Sequence, residues 1–381
     1  MAERLLADVA AGRTKLVYCT PERLRNTELC DRLAAVGVSL LAVDEAHCIS
    51  QWGNRFRPAY LELGRIAQRL GRPTIEAVTA TATPFVREDI HRVLDLPDPL
   101  VVVEGNDRPN LFLEVHLIHQ EAEDRSEVLK LADQLRGQGI VYTRTTAAAR
   151  ETAAWLEHAG HSAQPYHGRM RKPQRDEVQR SFTEGRTRIV AATNAFGLGV
   201  DKHDVRWVVH RDVPASLEAY WQEAGRAGGD GRPARCVLLY RPGDLSAAAF
   251  NATAAGEGGD RRARQRGLLE MMRGYAETDG CRRRYILNYL GEEFDPSRCQ
   301  MCDRSIEATR PETVPAPLGM NLGDRVRHTT FGDGVVQRLT RKTVTVLFDT
   351  GTYRKLRLGL ALEGKLAPID SAVSVAHSSE V

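Results

Sequence analysis

The sequence predicts an α/β protein with two parallel-sheet layers, followed by a helical region and a small antiparallel barrel. Short apolar runs alternate with longer helical patterns from residue 14 to about residue 245. These runs are apolar throughout, which is typical of strands that helices cover on both faces. After residue 320, apolar and polar residues alternate between Gly and Asp-Gly turns, which indicates antiparallel strands.

The apolar runs define the two parallel layers. In chain order the predicted strands are TKLVYC (14–19), VSLLAV (38–43), TIEAVTA (74–80), GQGIVYT (137–143), TRIVAAT (187–193), VRWVVHRDV (205–213) and ARCVLLY (234–240). The turn-forming stretch EGNDRPN separates the third run from the fourth. We therefore expect a first layer over residues 1–105 and a second over 106–245.

The remaining third of the chain changes character twice. Residues 246–305 have a helical pattern, whose apolar stripe of Leu268, Leu269, Met271, Met272 and Tyr275 predicts helix packing. Residues 306–320 contain three prolines among small polar residues and are predicted to be a linker. Residues 321–369 predict a barrel of about five strands, and residues 370–381 a frayed tail.

The composition excludes several classes of protein. No apolar run approaches the roughly 20 residues that cross a bilayer, and no signal peptide is evident, so we expect no membrane contact and a cytoplasmic location. Seven cysteines, an odd number, argue against a secreted disulfide framework. The net charge of +3 does not by itself indicate a nucleic-acid binder. The arginine runs at 261–266 and 282–284 are either basic patches or solvated helix faces.

Two carboxylates mark the best candidate site. In LLAVDEAHCISQWGNRFRPAY, residues 40–60, an apolar strand ends in Asp44 and Glu45. Ligands of open α/β sheets bind beyond the carboxyl ends of the strands. In nucleotide hydrolases the first such acid holds Mg²⁺ through its water shell, and the second polarises the attacking water. A solvated acidic pair at a strand end is the alternative.

This stretch resembles motif II and the aromatic-rich loop of the RecQ helicases. Further segments resemble the same family in order: YCTPERL (18–24), TATATPFVREDI (79–90), DRPNL (107–111), GIVYTRT (139–145), YHGRM (166–170), ATNAFGLGVDKHDVRWVVH (192–210) and YWQEAGRAGGDGRPA (220–234). The resemblance covers roughly residues 14–305. It implies two RecA-like lobes, a superfamily 2 DEAH-box motor that uses ATP and Mg²⁺, and 3′ to 5′ unwinding of DNA in repair and recombination. The implied partner is DNA, as single strands and duplex junctions.

The resemblance also implies roles for individual residues. Asp44, Glu45 and His47 belong to the DEAH box, and Gln222 and Arg226 lie in the segment that faces ATP in the family. Arg226 is suited to stabilise charge on the γ-phosphate. The residues implied to contact DNA or to relay that contact are Trp52, Phe56, Arg57, Thr79 and Thr81. Core packing of Trp52 and Phe56, and a plain strand-end turn at the two threonines, are the alternatives.

The sequence departs from the family at two places that matter for hydrolysis. No GxxxxGK[ST] phosphate loop precedes Asp44; GLALEGKL at 359–366 is a near match that lacks the hydroxyl residue. Gly229 stands where relatives have a second arginine, the usual arginine finger. We therefore expect a chain that has lost the front of its first lobe and lacks ATPase activity on its own.

Three cysteines form a candidate metal site. Cys281, Cys299 and Cys302 resemble the RecQ zinc platform, whose last ligand falls where Ser305 stands. Three thiolates with a CxxC spacing suit Zn²⁺. Either Asp303 or water would complete the tetrahedron, or the site is empty and the cysteines are buried structural residues.

The C-terminal segment resembles the Tudor-like or SH3-like barrel of UvrD/PcrA-type helicases. Such barrels bind a partner protein or nucleic acid, so this segment is the candidate for a protein partner. Its basic residues, among them Arg325, Arg327, Arg338, Arg341 and Lys342, form either a phosphate-binding face or a solubilising surface. The chain is thus a helicase, a DNA- or protein-binding module without turnover, or a truncated product without function.

Overall fold

The computed structural model describes residues 7–50, 56–197, 202–243, 259–307, 320, 323–339, 343–349, 353–357 and 365–369. The chain divides into two compact units, Met1–Gly105 and Asn106–Val381. Among the described helices, none combines the length and the apolar character that crossing a bilayer requires.

The first unit contains a parallel pair of strands with helices around it. Strands β1 (Leu40–Val43) and β2 (Thr74–Ala77) pair in register from Leu40 with Thr74 to Val43 with Ala77. The helices are α1 (Pro21–Leu24), α2 (Thr27–Val36), α3 (Leu63–Arg69) and α4 (Pro84–Leu94), with 3-10 turns at Ala46–Ile49 and Pro58–Glu62. Thr83 caps α4 by accepting from the Val86 amide, and Pro84 occupies its first turn. The strands and helices enclose one apolar core.

The predicted strand at 14–19 is wrong. These residues have no regular secondary structure, and the side chains of Leu16 and Tyr18 are 74% and 91% exposed. A strand exists only where a neighbour completes its backbone ladder, and in the described part of the chain β1 pairs with β2 alone. Apolar composition therefore did not suffice to make a strand.

The second unit is built on a six-stranded parallel sheet with the order β3-β8-β7-β4-β6-β5. Its strands are β3 (Leu111–Leu117), β4 (Gly139–Tyr142), β5 (Ala163–Tyr166), β6 (Ile189–Ala192), β7 (Trp207–His210) and β8 (Ala234–Tyr240). Its helices are α5 (Glu121–Gln134), α6 (Thr146–His158), α7 (Lys172–Thr183) and α8 (Leu217–Ala224). Helices α5 and α6 cover one face and α7 and α8 the other, so β4, β6 and β7 are buried at every position. The parallel α/β fold predicted for both layers is confirmed.

The two edge strands of this sheet escaped prediction. In β5 the sequence AQPY contains Pro165, which an interior strand would not tolerate because it lacks a backbone donor. In β3 the sequence LFLEVHL alternates apolar and polar residues instead of forming one apolar run. Pro165 is tolerated because β5 is an edge strand, where one side of the backbone has no ladder partner within the sheet, and β3, the other edge strand, is only partly buried.

A helical platform packs on this sheet through α9 (Gly259–Glu277) and α10 (Arg282–Tyr289). Leu269, Met271, Met272 and Tyr275 are buried in the same core as predicted, and Leu268 is half-buried. A short helix, α11 (Asp303–Glu307), follows the cysteines. The segment before it covers the edge of β3, since the Leu113 amide donates to the Met301 carbonyl at 3.0 Å.

The C-terminal segment forms a five-stranded antiparallel half-barrel, as predicted. Its order is β12-β11-β10-β9-β13, with strands β9 (Arg325–His328), β10 (Gly332–Leu339), β11 (Thr343–Phe348), β12 (Tyr353–Arg357) and β13 (Leu366–Pro368). Met320 packs in its apolar core with Val346 and Phe348. The half-barrel contacts α10, because Asn288 Nδ2 donates to the Gly323 carbonyl at 2.7 Å. Residues 308–319 of the predicted linker and the tail lie outside the described residues.

Candidate functional site

The two acids predicted for catalysis stand at the carboxyl end of β1. Val43 is buried as the last residue of the strand, whereas Asp44 is exposed and Glu45 is half-exposed. Glu45 has φ of 49°, in the left-handed region that a residue with a side chain rarely adopts. The turn is held by the Ala46 amide, which donates to the Val78 carbonyl beyond β2 at 3.0 Å. Strain of this kind is concentrated at functional sites.

His47 connects these acids to the threonine segment. The His47 ring is buried, and its Nδ1 lies 2.9 Å from Thr79 Oγ1 and 3.2 Å from Glu45 Oε2. Thr79 Oγ1 in turn lies 3.1 Å from the Thr81 carbonyl, to which it donates its one proton. Nδ1 is therefore the protonated nitrogen in this network, and it faces two oxygen acceptors. The structure thus brings Asp44, Glu45, His47, Thr79 and Thr81 together at one end of the first unit's sheet.

The aromatic-rich loop is only partly described. Trp52, which sequence analysis predicted as a DNA contact, lies outside the described residues. Phe56 is half-buried, and the Arg57 guanidinium makes a two-pronged contact with Glu22 at 2.6 and 2.7 Å. Hydrogen bonding to Glu22 raises the pKa of Arg57. Because this ion pair is solvent-exposed it is weak, and a phosphate can compete with Glu22 for the arginine.

The predicted glutamine and arginine lie in the second unit. Ser216 caps α8 by accepting from the Ala219 amide, and Gln222 lies within this helix. Arg226 follows the helix end and donates from Nη1 to the Gly197 carbonyl at 2.6 Å. Gly197 has φ of 128°, and a Cβ at that position would lie 2.1 Å from Arg226 Cζ. A glycine at 197 is therefore a condition for this arrangement of Arg226.

Sequence analysis missed how the turn carrying Arg226 is held. Arg108 donates to the carbonyls of Gly225, Ala227 and Gly228 at 2.9 to 3.0 Å. The last carbonyls of a helix lack intrahelical partners, and a cation suits the negative end of the helix. Asn110 Nδ2 also donates to the Gly228 carbonyl, at 2.8 Å. The available signal was the DRPNL segment, which the family resemblance included without assigning a role.

The position of Gly229 is closely packed. A Cβ added there would lie 3.0 Å from His203 Cα and 3.1 Å from His203 Nδ1. An arginine at 229 would therefore require the His203 segment to shift. The packing around position 229 therefore suits a glycine and leaves too little room for an arginine side chain.

A basic cavity that sequence analysis did not identify lies at the carboxyl edge of the second unit's sheet. It has a volume of about 670 Å³. Arg241, Arg211 and Arg144 line it, following the ends of the adjacent strands β8, β7 and β4. The N-terminus of α6 also lines it, where Thr145 accepts from the Ala148 amide. Each arginine has an acidic neighbour: Arg211 pairs with Glu151 at 2.9 Å, Arg241 with Asp124 at 3.0 Å, and the more exposed Arg144 lies 3.5 Å from Asp212. Arginines beside a helix N-terminus suit an anion such as phosphate.

The three predicted metal ligands come together in the platform. The Sγ atoms of Cys281, Cys299 and Cys302 lie within 4.8 Å of one another, with Cys299 to Cys302 at 3.9 Å and Cys302 to Cys281 at 4.0 Å. A tetrahedral zinc with Zn–S bonds of about 2.3 Å places its sulfurs about 3.8 Å apart. Hydrogen bonds from Cys281 and Cys299 lower the pKa of Cys302, and hydrogen bonds to Cys299 and Cys302 raise the pKa of Cys281, so the thiols share their protons within the cluster. The cluster therefore fits Zn²⁺ in spacing and chemistry.

Asp303 does not complete this cluster. Its Oδ1 accepts from Arg282 Nε at 2.6 Å and its Oδ2 from the Val115 amide at 3.1 Å. Ser305 stands beside the cluster, with Oγ 3.2 Å from Cys302 Sγ. The sequence suggested Asp303 or water as the fourth ligand. The Asp303 carboxylate is hydrogen-bonded to Arg282 and to the backbone of β3, so it does not face the metal position.

Three family models match the chain in sequence. The DEAD/DEAH box helicase model matches residues 2–90, the helicase conserved C-terminal domain 123–231, and the RecQ zinc-binding model 242–305. The first matched region contains Asp44, Glu45 and His47, the second Gln222 and Arg226, and the third the cysteines.

Curated relatives agree with these models. The chain is 38% identical over 294 residues to the ATP-dependent DNA helicase RecQ of Pasteurella multocida, which covers 77% of this chain and 46% of that protein. It is 37% identical over 317 residues to the ATP-dependent DNA helicase RecQ of Bacillus subtilis, covering 83% of this chain and 53% of that protein. The chain thus spans about half the length of these relatives.

Proposed function

The chain belongs to the RecQ family of helicases, and from this premise we propose that it forms part of an ATP-dependent DNA helicase. In this proposal the whole protein unwinds DNA in the 3′ to 5′ direction during repair and recombination, in the cytoplasm. Asp44 would hold the Mg²⁺ of ATP through water, and Glu45 would polarise the attacking water. Gln222 and Arg226 contact the phosphates.

The observation that carries this proposal is the bridge that His47 makes between Glu45 and Thr79. Thr79 and Thr81 belong to the segment that we propose senses DNA. A movement of Thr79 would change the hydrogen bond to His47 and with it the position of the Glu45 carboxylate. Such a connection between a DNA contact and a catalytic acid is what a DNA-stimulated ATPase requires.

DNA contacts are proposed on both units. In the first unit Trp52, Phe56 and Arg57 would stack on or pair with single-stranded DNA, once Arg57 exchanges Glu22 for a phosphate. In the second unit the arginines beyond β4, β7 and β8 would bind backbone phosphate at the N-terminus of α6. Contacts to the phosphate backbone predict binding without strong preference for base sequence.

A polypeptide of this sequence is proposed to bind DNA without hydrolysing ATP. Its 381 residues contain no GxxxxGK[ST] sequence to cradle the phosphates of ATP. Gly229 supports this too, because it stands where relatives have a second arginine, and a missing arginine finger slows phosphoryl transfer by about 10³-fold or more. DNA binding without turnover is therefore the activity proposed for the chain by itself.

The half-barrel is proposed to bind a protein partner. Arg325 is paired with Asp349 at 2.6 Å and Arg327 with Asp333 at 2.6 Å, so two of its candidate phosphate contacts are already neutralised. The side chains of Arg338, Arg341 and Lys342 lie outside the described residues. Arg325, whose side chain is 15% exposed, is thus withdrawn from phosphate, and this is the observation in favour of a protein partner; Arg327, Arg354 and Arg357 are exposed.

An ATPase assay combined with DNA binding tests these proposals. Purified chain is titrated into fluorescent single-stranded DNA at several salt concentrations, and phosphate release is measured with and without that DNA. The expected result is salt-dependent binding with phosphate release at the level of a protein-free blank. DNA-stimulated phosphate release would contradict the absence of turnover, and salt-independent or absent binding would contradict the DNA proposal.

A further inference from the structure

We propose that Cys281, Cys299 and Cys302 hold Zn²⁺ through three thiolates and leave the fourth coordination position to an exchangeable external ligand, water or a small thiolate. This inference rests on the zinc binding expected for the family region and concerns how this chain's own residues complete it. A site with three protein ligands and one open position resembles catalytic zinc sites more than closed structural ones. The argument depends on which groups beside the cluster are free to bind.

The nearest carboxylate is not free. Asp303 follows Cys302 directly, but both of its oxygens accept hydrogen bonds, from Arg282 and Val115 and from the Arg304 amide at 2.7 Å. Arg282 is fully buried, so turning Asp303 toward the sulfurs would leave a buried guanidinium without its counter-ion. Removing one partner of a buried pair is strongly unfavourable. Asp303 is therefore held away from the metal position.

Ser305 is engaged with the backbone of Cys302. Its Oγ donates to the Cys302 carbonyl at 2.9 Å and accepts from the Cys302 amide at 3.2 Å. These two hydrogen bonds close a tight turn that fixes Cys302, whose Sγ also accepts from the Ser305 amide at 3.3 Å. A neutral hydroxyl is also a poorer zinc donor than a thiolate, an imidazole or a carboxylate. The serine thus positions a ligand and is not one itself.

No other protein ligand is at hand. Among the described residues, the group of metal-binding side chains at this place consists of the three cysteines alone. Cys299 and Cys302 are buried, whereas Cys281 and Ser305 are half-exposed. Solvent therefore reaches the cluster on the side where Cys281 and Ser305 stand. A small external ligand can approach there without unfolding the platform.

Substituting Co²⁺ for zinc tests the inference, because thiolate-to-cobalt absorption reports the number of sulfur ligands. Full-length chain is reduced, freed of metal under anaerobic conditions and titrated with Co²⁺. Wild type, Ser305→Ala and Ser305→Cys are compared, with Cys302→Ala as the variant that removes a ligand. Each titration is repeated with 2-mercaptoethanol as the external thiol.

The expected result is one spectrum for wild type and Ser305→Ala, because the same three thiolates bind the metal in both. Ser305→Cys should gain about one third in charge-transfer intensity, from a fourth thiolate, and bind at least about tenfold more tightly. The external thiol should change the wild-type spectrum and leave that of Ser305→Cys unchanged.

Two outcomes would overturn the inference alone. One is a changed spectrum in Ser305→Ala, which would make Ser305 a ligand. The other is a wild-type spectrum that the external thiol leaves unchanged. If wild type takes up no Co²⁺, the zinc site itself is refuted, whereas DNA binding by the same preparation reports separately on the helicase proposal.

Discussion

Arg226 and Gly197 are packed so closely that the Arg226 guanidinium occupies the space of a side chain at position 197. Arg226 Nη1 donates to the Gly197 carbonyl at 2.6 Å, and a Cβ on Gly197 would lie 2.1 Å from Arg226 Cζ. The two residues belong to separate sequence motifs, 29 residues apart. The position of a proposed phosphate-binding arginine thus depends on a glycine in another loop.

Gly197→Ala should destabilise the second unit and displace Arg226. A side chain at a positive φ costs about 1–3 kcal/mol, and the clash with Arg226 adds to this cost. Urea unfolding followed by tryptophan fluorescence measures the change. Gly160→Ala is the matched control, since Gly160 also has positive φ, of 88°, but would find no atom within 4 Å of its Cβ. Equal destabilisation by the two variants would contradict the proposed packing.

Arg108→Met should loosen the turn that carries Arg226. The substitution removes hydrogen bonds to three carbonyls in the turn that follows α8, and hydrogen bonds to charged groups contribute about 1.5–3 kcal/mol each. We expect a loss of about 2–4 kcal/mol in unfolding free energy, less than the sum of three such bonds because water can reach these part-buried carbonyls, and faster amide hydrogen exchange near Gly228. Arg232→Met, at a side chain that is 82% exposed, should change little. Unchanged stability of Arg108→Met would argue against the role given to Arg108.

The stability of the second unit should depend on pH through His116. Its pKa is raised, first by the hydrogen bond to Glu114 and further by Glu127, against the opposing effect of burial. A histidine with a raised folded-state pKa stabilises fully below its unfolded value of about 6.5, and loses this contribution as pH rises through the folded value. The advantage of wild type over His116→Gln should therefore be larger at pH 6 than at pH 9.

Urea unfolding at several pH values between 6 and 9 measures this difference. His119→Gln serves as the control, because His119 is exposed. A difference between wild type and His116→Gln that grows as pH rises would refute the assignment to His116.

Arg144→Gln should weaken DNA binding without changing its dependence on base sequence. Arg144 lines the basic cavity after β4, and loss of one phosphate contact should reduce the slope of log affinity against log salt by about 1. At moderate salt we expect roughly tenfold weaker binding, since a charge-assisted hydrogen bond contributes on the order of 1.5 kcal/mol.

The control for this variant is Arg136→Gln. Arg136 is exposed and precedes the amino end of β4, whereas Arg144 follows its carboxyl end, so the two arginines lie at opposite ends of this strand. Fluorescence anisotropy across a salt series compares both variants with wild type. Equal weakening by the two substitutions would mean that general positive charge, and not the cavity, binds DNA.

Local sequence patterns predicted the parts of this protein that depend on neighbouring residues. Apolar runs located β1, β2, β4, β6, β7 and β8. For β4, β6 and β7 the reason is that a strand covered on both faces must be apolar along its length, whereas β1 and β2 are exposed at alternate residues. The acids after β1 were found because a strand end followed by Asp44 and Glu45 is visible in a few letters of sequence. The spacing of Cys299 and Cys302 indicated a metal site for the same reason.

The tertiary structure decided which of these groups are available. Residues 14–19 look like a strand but have no ladder partner in the described part of the chain, and Asp303 looks like a metal ligand but is held by Arg282. Arg57 is paired with Glu22, and Arg108 holds a turn more than 100 residues away. Hydrogen bonds and ion pairs between distant segments form only when the fold brings them together. The sequence alone therefore located six of the eight described parallel strands and the chemical groups, and the fold determined the partner of each group.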